Sequence, residues 1–431
     1  MPLGFYIIMA AQFFSALADN ALLIIAIATL RAMQAPLAYE PLLKTFFTLS
    51  YVLLAAFVGA YADSMPKWRV MFISNAIKIV GCAMMLFAVD PLIAYAVVGL
   101  GAAAYSPAKY GILTEYLPHR LLVLANGWIE GLTVGAIILG VVIGGTLIQP
   151  GVAHHFLSFD FPLIHVGINT ECEVALCFVG VFYIVAAIFN LYVPDTGVDH
   201  KLLHKNPWYL IREFNHCLML LWRDRLGQIS LAVTTLFWGA GATLQFIVIK
   251  WAEAALGLDL SGASLLQGVV AIGVALGAVA AARLISLKKS VKVIPLGIAM
   301  GLIVLLMNFV HQTWLAVTLL IIIGALSGFF VVPMNALLQH RGHLLMGAGH
   351  SIAVQNFNEN LSILIMTGLY YLMIKADLSI HWVISLFGLC VSASMLLIKR
   401  RHEANQREYH DVVHLCEHPE GGPAVDASRR Q

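Results

Sequence analysis

Charged residues are scarce in this sequence of 431 residues. Asp, Glu, Lys and Arg together account for 11% of it, whereas hydrophobic residues account for 60%. Soluble domains carry about 25% charged residues. Apolar runs of about 20 residues, each long enough to cross a bilayer as a helix, recur along nearly the whole length. The connections between them are too short for a soluble catalytic domain, so we predict a polytopic membrane protein that is not an enzyme.

Cysteine and net charge are also low. The six cysteines show none of the spacings that are typical of metal-binding or redox motifs, and the formal net charge is +2. We therefore expect no metal, no cofactor and no nucleic-acid partner.

The apolar runs predict an all-α protein with twelve transmembrane helices. Most Lys and Arg residues fall in connections on the side that carries both termini, so the positive-inside rule predicts cytoplasmic termini. The spans are expected at approximately 3–30, 42–62, 70–89, 91–114, 121–148, 174–193, 226–249, 262–284, 291–310, 313–338, 344–374 and 379–398.

Only one long polar connection interrupts the spans, and it divides the chain into two bundles. Its aromatic and basic residues, within 201–222, predict an amphipathic helix on the membrane surface. The polar end of the chain predicts a disordered tail. The expected organisation is a six-helix bundle at 1–193, a cytoplasmic linker at 194–225, a second six-helix bundle at 226–399 and a tail at 400–431.

The second bundle repeats features of the first at an offset of roughly 226 residues. Pro107 in span four matches Pro333 in span ten, and Glu130 in span five matches Glu359 in span eleven. Two pseudo-symmetric six-helix halves joined by an inner loop are typical of the major facilitator architecture. We therefore predict that architecture.

A possible gating motif follows the second span, in "GAYADSMPKWR". Gly59, Asp63, Lys67 and Arg69 fit the superfamily pattern of a glycine, an aspartate four residues later, a turn and basic residues. Charge-assisted hydrogen bonds from Asp63 would favour one gate state. The alternative is an ordinary polar turn.

Several charges lie within the predicted spans, where burial without a partner is costly. Three of them are acids, Asp19, Glu130 and Glu359, and two are bases, Lys78 and Lys109. Helical spacing places Gln12, Ser15 and Asp19 on one stripe, Asn126 with Glu130 on another, and Gln355 with Glu359 on a third, beside Asn356.

These stripes predict one wet central cleft, because two lysines cannot pair with three acids. The alternative is buried ion pairs that only hold helices together, either Asp19 with Lys109 or Glu130 with Lys78. For Lys78 itself we favour the structural ion pair.

Five longer motifs make the chain similar to a known family. They are "AQFFSALADNALL", "YADSMPKWRVMFISNAIK", "GLGAAAYSPAKYGILTE", "ANGWIEGLTVGAIILG" and "GAGHSIAVQNFNEN". In order and content they resemble the bacterial lysophospholipid transporter family, LplT, from about residue 11 to 365.

The resemblance implies a flippase of the bacterial inner membrane. It would move lysophosphatidylethanolamine and lysophosphatidylglycerol from the outer to the inner leaflet, where a partner acyltransferase/acyl-ACP synthetase reacylates them. By resemblance, the residues that line the headgroup path are Asp19, Asn20, Lys109, Glu130, Gln355, Asn356 and Glu359. Gln245 belongs to the same set, but some family members carry a basic residue at this position. If that basic residue binds phosphate, Lys250 or Lys109 must supply the positive charge in this chain.

Two other functions fit the sequence. A proton-coupled efflux carrier for amphipathic drugs would use Asp19 or Glu359 as its proton site. A membrane scaffold would instead use the amphipathic segment 201–222 to recruit an enzyme.

Overall fold

The computed structural model describes residues 1–36, 39–149, 151, 170–199, 204, 206–258 and 260–408. All regular elements in these ranges are helical. The first half contains α1 (Leu3–Ala32), α2 (Tyr39–Leu53), α3 (Ala55–Asp63), α4 (Lys67–Leu86), α5 (Pro91–Tyr116), α6 (Leu122–Leu147) and α7 (Glu171–Leu191). After α8 (Pro207–Arg223) come α9 (Arg225–Leu256), α10 (Leu260–Leu284), α11 (Ile294–Leu305), α12 (Thr313–Met346), α13 (Ala348–Lys375) and α14 (Ile380–Glu408). Short 3-10 helices lie at His119–Leu121, Leu287–Val293 and Leu306–Phe309.

Length and hydropathy identify most of the predicted membrane spans. Ten helical segments in the described ranges are long and apolar enough to cross a membrane, and the pair α2 and α3, bent by 62°, makes an eleventh. The twelfth is α13, which has 28 residues but a polar first half that contains Gln355, Asn356 and Glu359. Its length, at 1.5 Å per residue, is sufficient for a crossing.

The two halves share an internal feature that supports the predicted repeat. Pro107 lies inside α5 and Pro333 inside α12, at corresponding positions of the two halves. A proline inside a helix removes one backbone hydrogen bond, which neighbouring helices tolerate inside a membrane bundle.

Both ends of the described chain lie on one side of the bundle, called the terminal side below. The start of α1 meets the end of α5, since Gly4 lies against Tyr116. The end of α14 meets the start of α9, where the Asn405 side-chain amide donates to the Arg225 carbonyl.

The hydrophobic clusters place the contacts between the halves on the terminal side. One cluster stays within the first half, around Leu22, Val98 and Tyr183, and another within the second half, around Trp251 and Ile384. Two further clusters contain residues of both halves, and they involve the terminal-side parts of α1, α3, α5, α6, α10, α12 and α13. The halves are therefore closed against each other on the terminal side and separate towards the opposite side.

The predicted surface helix is present as α8. It begins at Pro207, where the Asn206 side chain caps the Trp208 backbone N–H. Leu210, Phe214 and Leu221 are buried against the bundle. The first residues of the predicted segment, 201–203, lie outside the described ranges.

Three predicted boundaries were wrong. Helix α9 continues to Leu256 instead of ending near 249. Helix α12 continues to Met346 instead of ending near 338, because Gln339 and Arg341 are buried with polar partners and do not end the helix. Helix α14 continues to Glu408, so residues 400–408, predicted as disordered tail, are helical. The rest of that tail lies outside the described ranges.

Candidate functional site

The carboxylate of Asp63 joins the two halves on the terminal side. Its Oδ1 accepts the backbone N–H of Gly349 at 2.7 Å, and its Oδ2 accepts the backbone N–H of His350 at 3.1 Å. These amides belong to the first turn of α13, where N–H groups lack partners within the helix and the helix dipole is positive. Asp63 thus caps a helix of the other half.

Two basic residues complete this network around Asp63. The Nδ1 atom of His350 lies 2.7 Å from Asp63 Oδ2, and Lys67 Nζ donates to Asp63 Oδ1 at 2.8 Å. Lys67 also lies 3.2 Å from Glu115 Oε1, while Glu213 on α8 approaches His350 at 3.7 Å. This buried network, called the latch below, connects α3, α4, α5, α8 and α13.

Arg69 takes no part in the latch among the described residues. Its side chain is exposed and lies over the Trp68 ring, at 5.1 Å from the ring centroid. Of the four residues assigned to the motif, Asp63 and Lys67 form the latch and Gly59 lies beside it.

Helices α3 and α13 approach each other closely at Gly59. A Cβ atom added at this position would lie 2.8 Å from the Ala353 Cβ and 3.2 Å from the His350 Cα. No side chain fits there without moving α13, so glycine permits closure of the terminal side.

A Gly59→Val variant is therefore expected to open the terminal side. Overpacking costs about 1 to 3 kcal/mol, and here the cost falls only on the closed state. Met346 is buried on this side. In a background without native cysteines, Met346→Cys should react severalfold faster with a membrane-impermeant maleimide when Gly59 is valine.

Gly368→Val is the matched control, because it also lies in a membrane helix but a Cβ there meets nothing within 4 Å. Equal labelling rates in both variants would contradict the assigned role of Gly59.

Asp19 is held by a buried network within the first half. Its Oδ2 lies 2.7 Å from Lys78 Nζ, and its Oδ1 accepts the Tyr183 hydroxyl at 2.8 Å. Lys78 also donates to Ser15 Oγ at 3.0 Å, and Ser15 donates to Asn75 Oδ1 at 2.8 Å. The ion pair expected for Lys78 is present, but its partner is Asp19, whereas the two pairings considered were Asp19 with Lys109 and Glu130 with Lys78.

Lys109 and Glu130 are the least satisfied charges near the middle of the bundle. Lys109 is half-buried, and its Nζ lies 4.2 Å from the centroid of the Tyr110 ring. Glu130 is 5% exposed, and its Oε1 lacks a hydrogen-bond partner among the described residues. The two side chains form no direct ion pair with each other within the described ranges. A lysine and a glutamate so placed can bind a ligand that carries one negative and one positive charge.

Glu359 is a buried acid on α13 of the other half. Its Oε1 accepts the Gln355 side-chain amide at 2.8 Å, and the same amide lies 3.0 Å from Asn335 Oδ1. Asn356 crosses between the halves and donates to Ser106 Oγ at 2.9 Å. Thus Lys109, Glu130 and Glu359 surround one region, whereas Asp19 belongs to a separate network beside it.

A second amide link crosses between the halves on the terminal side of this region. The side chains of Asn126 and Gln339 exchange hydrogen bonds at 2.9 and 3.0 Å, and both residues are buried. These links and the latch close the central region towards the terminal side.

Two of the residues predicted to line the headgroup path form hydrogen bonds elsewhere. The Asn20 side chain donates to the Ala16 carbonyl of its own helix. Gln245 is exposed on α9, and its backbone carbonyl accepts the Gln267 side chain.

Three residues with buried polar contacts could not be identified from the sequence, and one of them, His350, joins the two halves. His350 follows Gly347 at the start of α13, and its position after a helix-breaking glycine was the available signal. Arg341 forms an ion pair with Asp224, which also caps α9. Arg341 and Asp224 lie near the ends of spans, and the sequence alone does not show which residues they contact.

Comparison with known proteins identifies the family. A family model for the Major Facilitator Superfamily matches residues 8–367. The lysophospholipid transporter LplT of Yersinia enterocolitica (serotype O:8 / biotype 1B) is 42% identical over 373 residues, which cover 86% of this chain and 87% of that protein. The chain belongs to the LplT family of the Major Facilitator Superfamily. LplT of Yersinia pestis (strain Pestoides F) is also 42% identical, over 85% of this chain and 86% of that protein.

Solved structures agree on the fold. The crystal structure of the transporter FucP in the outward conformation has a TM-score of 0.70 at 15% identity and covers 93% of this chain and 98% of FucP. The human organic anion transporter MFSD10 has a TM-score of 0.71 at 14% identity, with 93% and 100% coverage. An LplT family member with this fold is a multi-pass membrane transporter.

Proposed function

We propose that this chain transports lysophospholipids across the bacterial inner membrane. The cargo is lysophosphatidylethanolamine and lysophosphatidylglycerol, moved from the outer to the inner leaflet for reacylation by an acyltransferase/acyl-ACP synthetase. The observation that carries the proposal is the 42% identity to LplT over 86% of the chain.

The central charges suit such a cargo. A lysophospholipid has one acyl chain that is compatible with lipid and a head with a phosphate, which the ethanolamine form combines with an ammonium group. Lys109 would bind the phosphate, while Glu130 and Glu359 would bind the ammonium through charge-assisted hydrogen bonds. Only the head requires a polar path, since burial of an unpaired charge in the membrane is costly.

The remaining predicted path residues take supporting places in this proposal. Gln355 would orient Glu359 through its hydrogen bond, and Asn356 would connect the two halves through Ser106. Asp19, paired with Lys78, would supply a carboxylate beside the headgroup path. Asn20 and Gln245 would lie nearer the entrance on the opposite side.

The closed side indicates from which leaflet the central charges are accessible in this state. The positive-inside rule places the terminal side, with both termini, in the cytoplasm. Closure on that side by the latch would leave the central charges accessible from the outer leaflet. Release of the Asp63 cap from α13 would then open the path towards the inner leaflet, as one half rocks against the other.

The proposal is tested with the purified chain in liposomes. Radiolabelled lysophosphatidylethanolamine is added to the outer leaflet, and the fraction that albumin can extract is followed with time. Because the chain inserts in both orientations, protein-containing vesicles should protect lysolipid from extraction faster than protein-free vesicles. Diacyl phosphatidylethanolamine is the control, and its rate should stay at the protein-free value. Equal lysolipid rates with and without the protein would contradict the proposal.

A further inference from the structure

A basic pocket lies on the terminal side, away from the central charges. It lies between the 3-10 helix Leu287–Val293 and the end of α14, and its volume is about 580 Å³, within the range of roughly 300 to 1,000 Å³ of small-molecule sites. Four lysines line it, Lys288, Lys289, Lys292 and Lys399, against one acid, Glu403.

The acid does not neutralise the pocket. Glu403 approaches Lys399 at 3.7 Å, and both side chains are more than two-fifths exposed. An exposed pair of this kind contributes little energy. Lys289 and Lys292 form no ion pair among the described residues, so the pocket stays positive and its ligand carries more than one negative charge.

A buried polar group also faces the pocket. His402 lines it and is only 8% exposed, and its Nδ1 lacks a hydrogen-bond partner among the described residues. That nitrogen has no appreciable accessible surface, so His402 forms part of the wall of the pocket and is not a direct contact of the ligand.

The depth of the pocket matches the headgroup layer of a bilayer. Lys399 follows directly after the apolar run of α14, in which Ile398 packs on the hydrophobic core of the second half. The apolar side of the pocket is formed by Ile294 and Pro295. Lysines above an apolar floor at the end of a membrane helix fit a phosphate with acyl chains attached better than a soluble anion.

We propose that this pocket binds the headgroup of an anionic phospholipid with two phosphates, taken from the leaflet on the terminal side. Lys288, Lys289, Lys292 and Lys399 contact the phosphates. The pocket has little to offer an ammonium group, so zwitterionic lipids bind weakly. The bound lipid is a resident of the pocket and not the transported cargo.

The test compares two variants that each lose three positive charges. Lys289, Lys292 and Lys399 are changed to Gln in one variant. In the control variant Arg120, Arg212 and Arg223, all exposed on the terminal side outside the pocket, are changed to Gln. Native mass spectrometry in detergent measures the apparent Kd for cardiolipin and for phosphatidylethanolamine.

Each basic side chain near an anionic membrane surface contributes on the order of 1 kcal/mol, or about fivefold in affinity, so the pocket variant should lose roughly a hundredfold for cardiolipin. The control variant should bind like the wild type.

Three results would overturn the proposal: equal losses in both triple variants, wild-type affinity for cardiolipin no higher than for phosphatidylethanolamine, or displacement of cardiolipin by an equal concentration of free pyrophosphate. The last result would identify a soluble anion as the ligand. Lysolipid transport does not enter this measurement, so its outcome is separate from that of the proposed function.

Discussion

Replacing Lys109 with glutamine is expected to lower lysophospholipid uptake into spheroplasts by roughly tenfold to a hundredfold, because a hydrogen bond to a charged group contributes about 1.5 to 3 kcal/mol. Lys109 is half-buried and makes no ion pair within the described ranges, so its ammonium is free to bind a phosphate. The protein level in the membrane should stay close to that of the wild type.

Lys250→Gln is the matched control for this prediction. Lys250 is an exposed lysine on α9, and it is the other candidate for the charge that some family members place at the Gln245 position. Uptake by this variant should remain near the wild-type rate. If Lys250→Gln abolishes uptake and Lys109→Gln does not, the phosphate site lies on α9.

Replacing Lys78 with methionine is expected to destabilise the protein by about 3 to 5 kcal/mol, the cost of breaking a buried ion pair by removing one partner. The Lys78 side chain is 1% exposed and the Asp19 side chain is 20% exposed, so loss of the ammonium leaves a mostly buried carboxylate without its ion-pair partner. The melting temperature of the protein in detergent, followed by tryptophan fluorescence, should fall by many degrees, and the protein level in the membrane should fall with it.

A second substitution separates the ion pair from the transport path. Asp19→Asn removes the unpaired charge but retains an acceptor for the Tyr183 hydroxyl. The double variant Asp19→Asn with Lys78→Met should regain most of the lost melting temperature. Its uptake should stay low because the Asp19 carboxylate beside the headgroup path is missing. Wild-type uptake by a stable double variant would show that the pair only holds α1 to α4.

The sequence was sufficient for the fold because hydrophobic runs and internal prolines are local signals. Pro107 and Pro333 identified the repeat from positions alone, and each lies inside a long helix as the repeat requires. The ends of α12 and α14 were harder, since a polar residue ends a membrane helix only when it lacks a buried partner. Gln339 finds that partner on α6, more than two hundred residues away.

Only the part of the latch that lies in one short motif could be predicted from the sequence. Gly59, Asp63 and Lys67 lie within nine residues, so their motif was visible, but the amides that Asp63 binds are at the start of α13. The partner of Asp19 was missed because Lys109 was considered for it and Lys78 was considered for Glu130, and sequence does not show which helices meet. Only the packing of α4 against α1 selects Lys78.

The terminal side is closed and the opposite side is open, and we expect substrate binding to close the opposite side and open the terminal side. Pulsed electron paramagnetic resonance in nanodiscs tests it with two pairs of spin labels at exposed sites: Arg120 with Lys289 on the terminal side, and Asp90 with Asp377 on the opposite side. On addition of lysophosphatidylethanolamine, the first distance should lengthen and the second should shorten in the same fraction of molecules. Distances that remain unchanged, or that change independently of each other, would contradict the account.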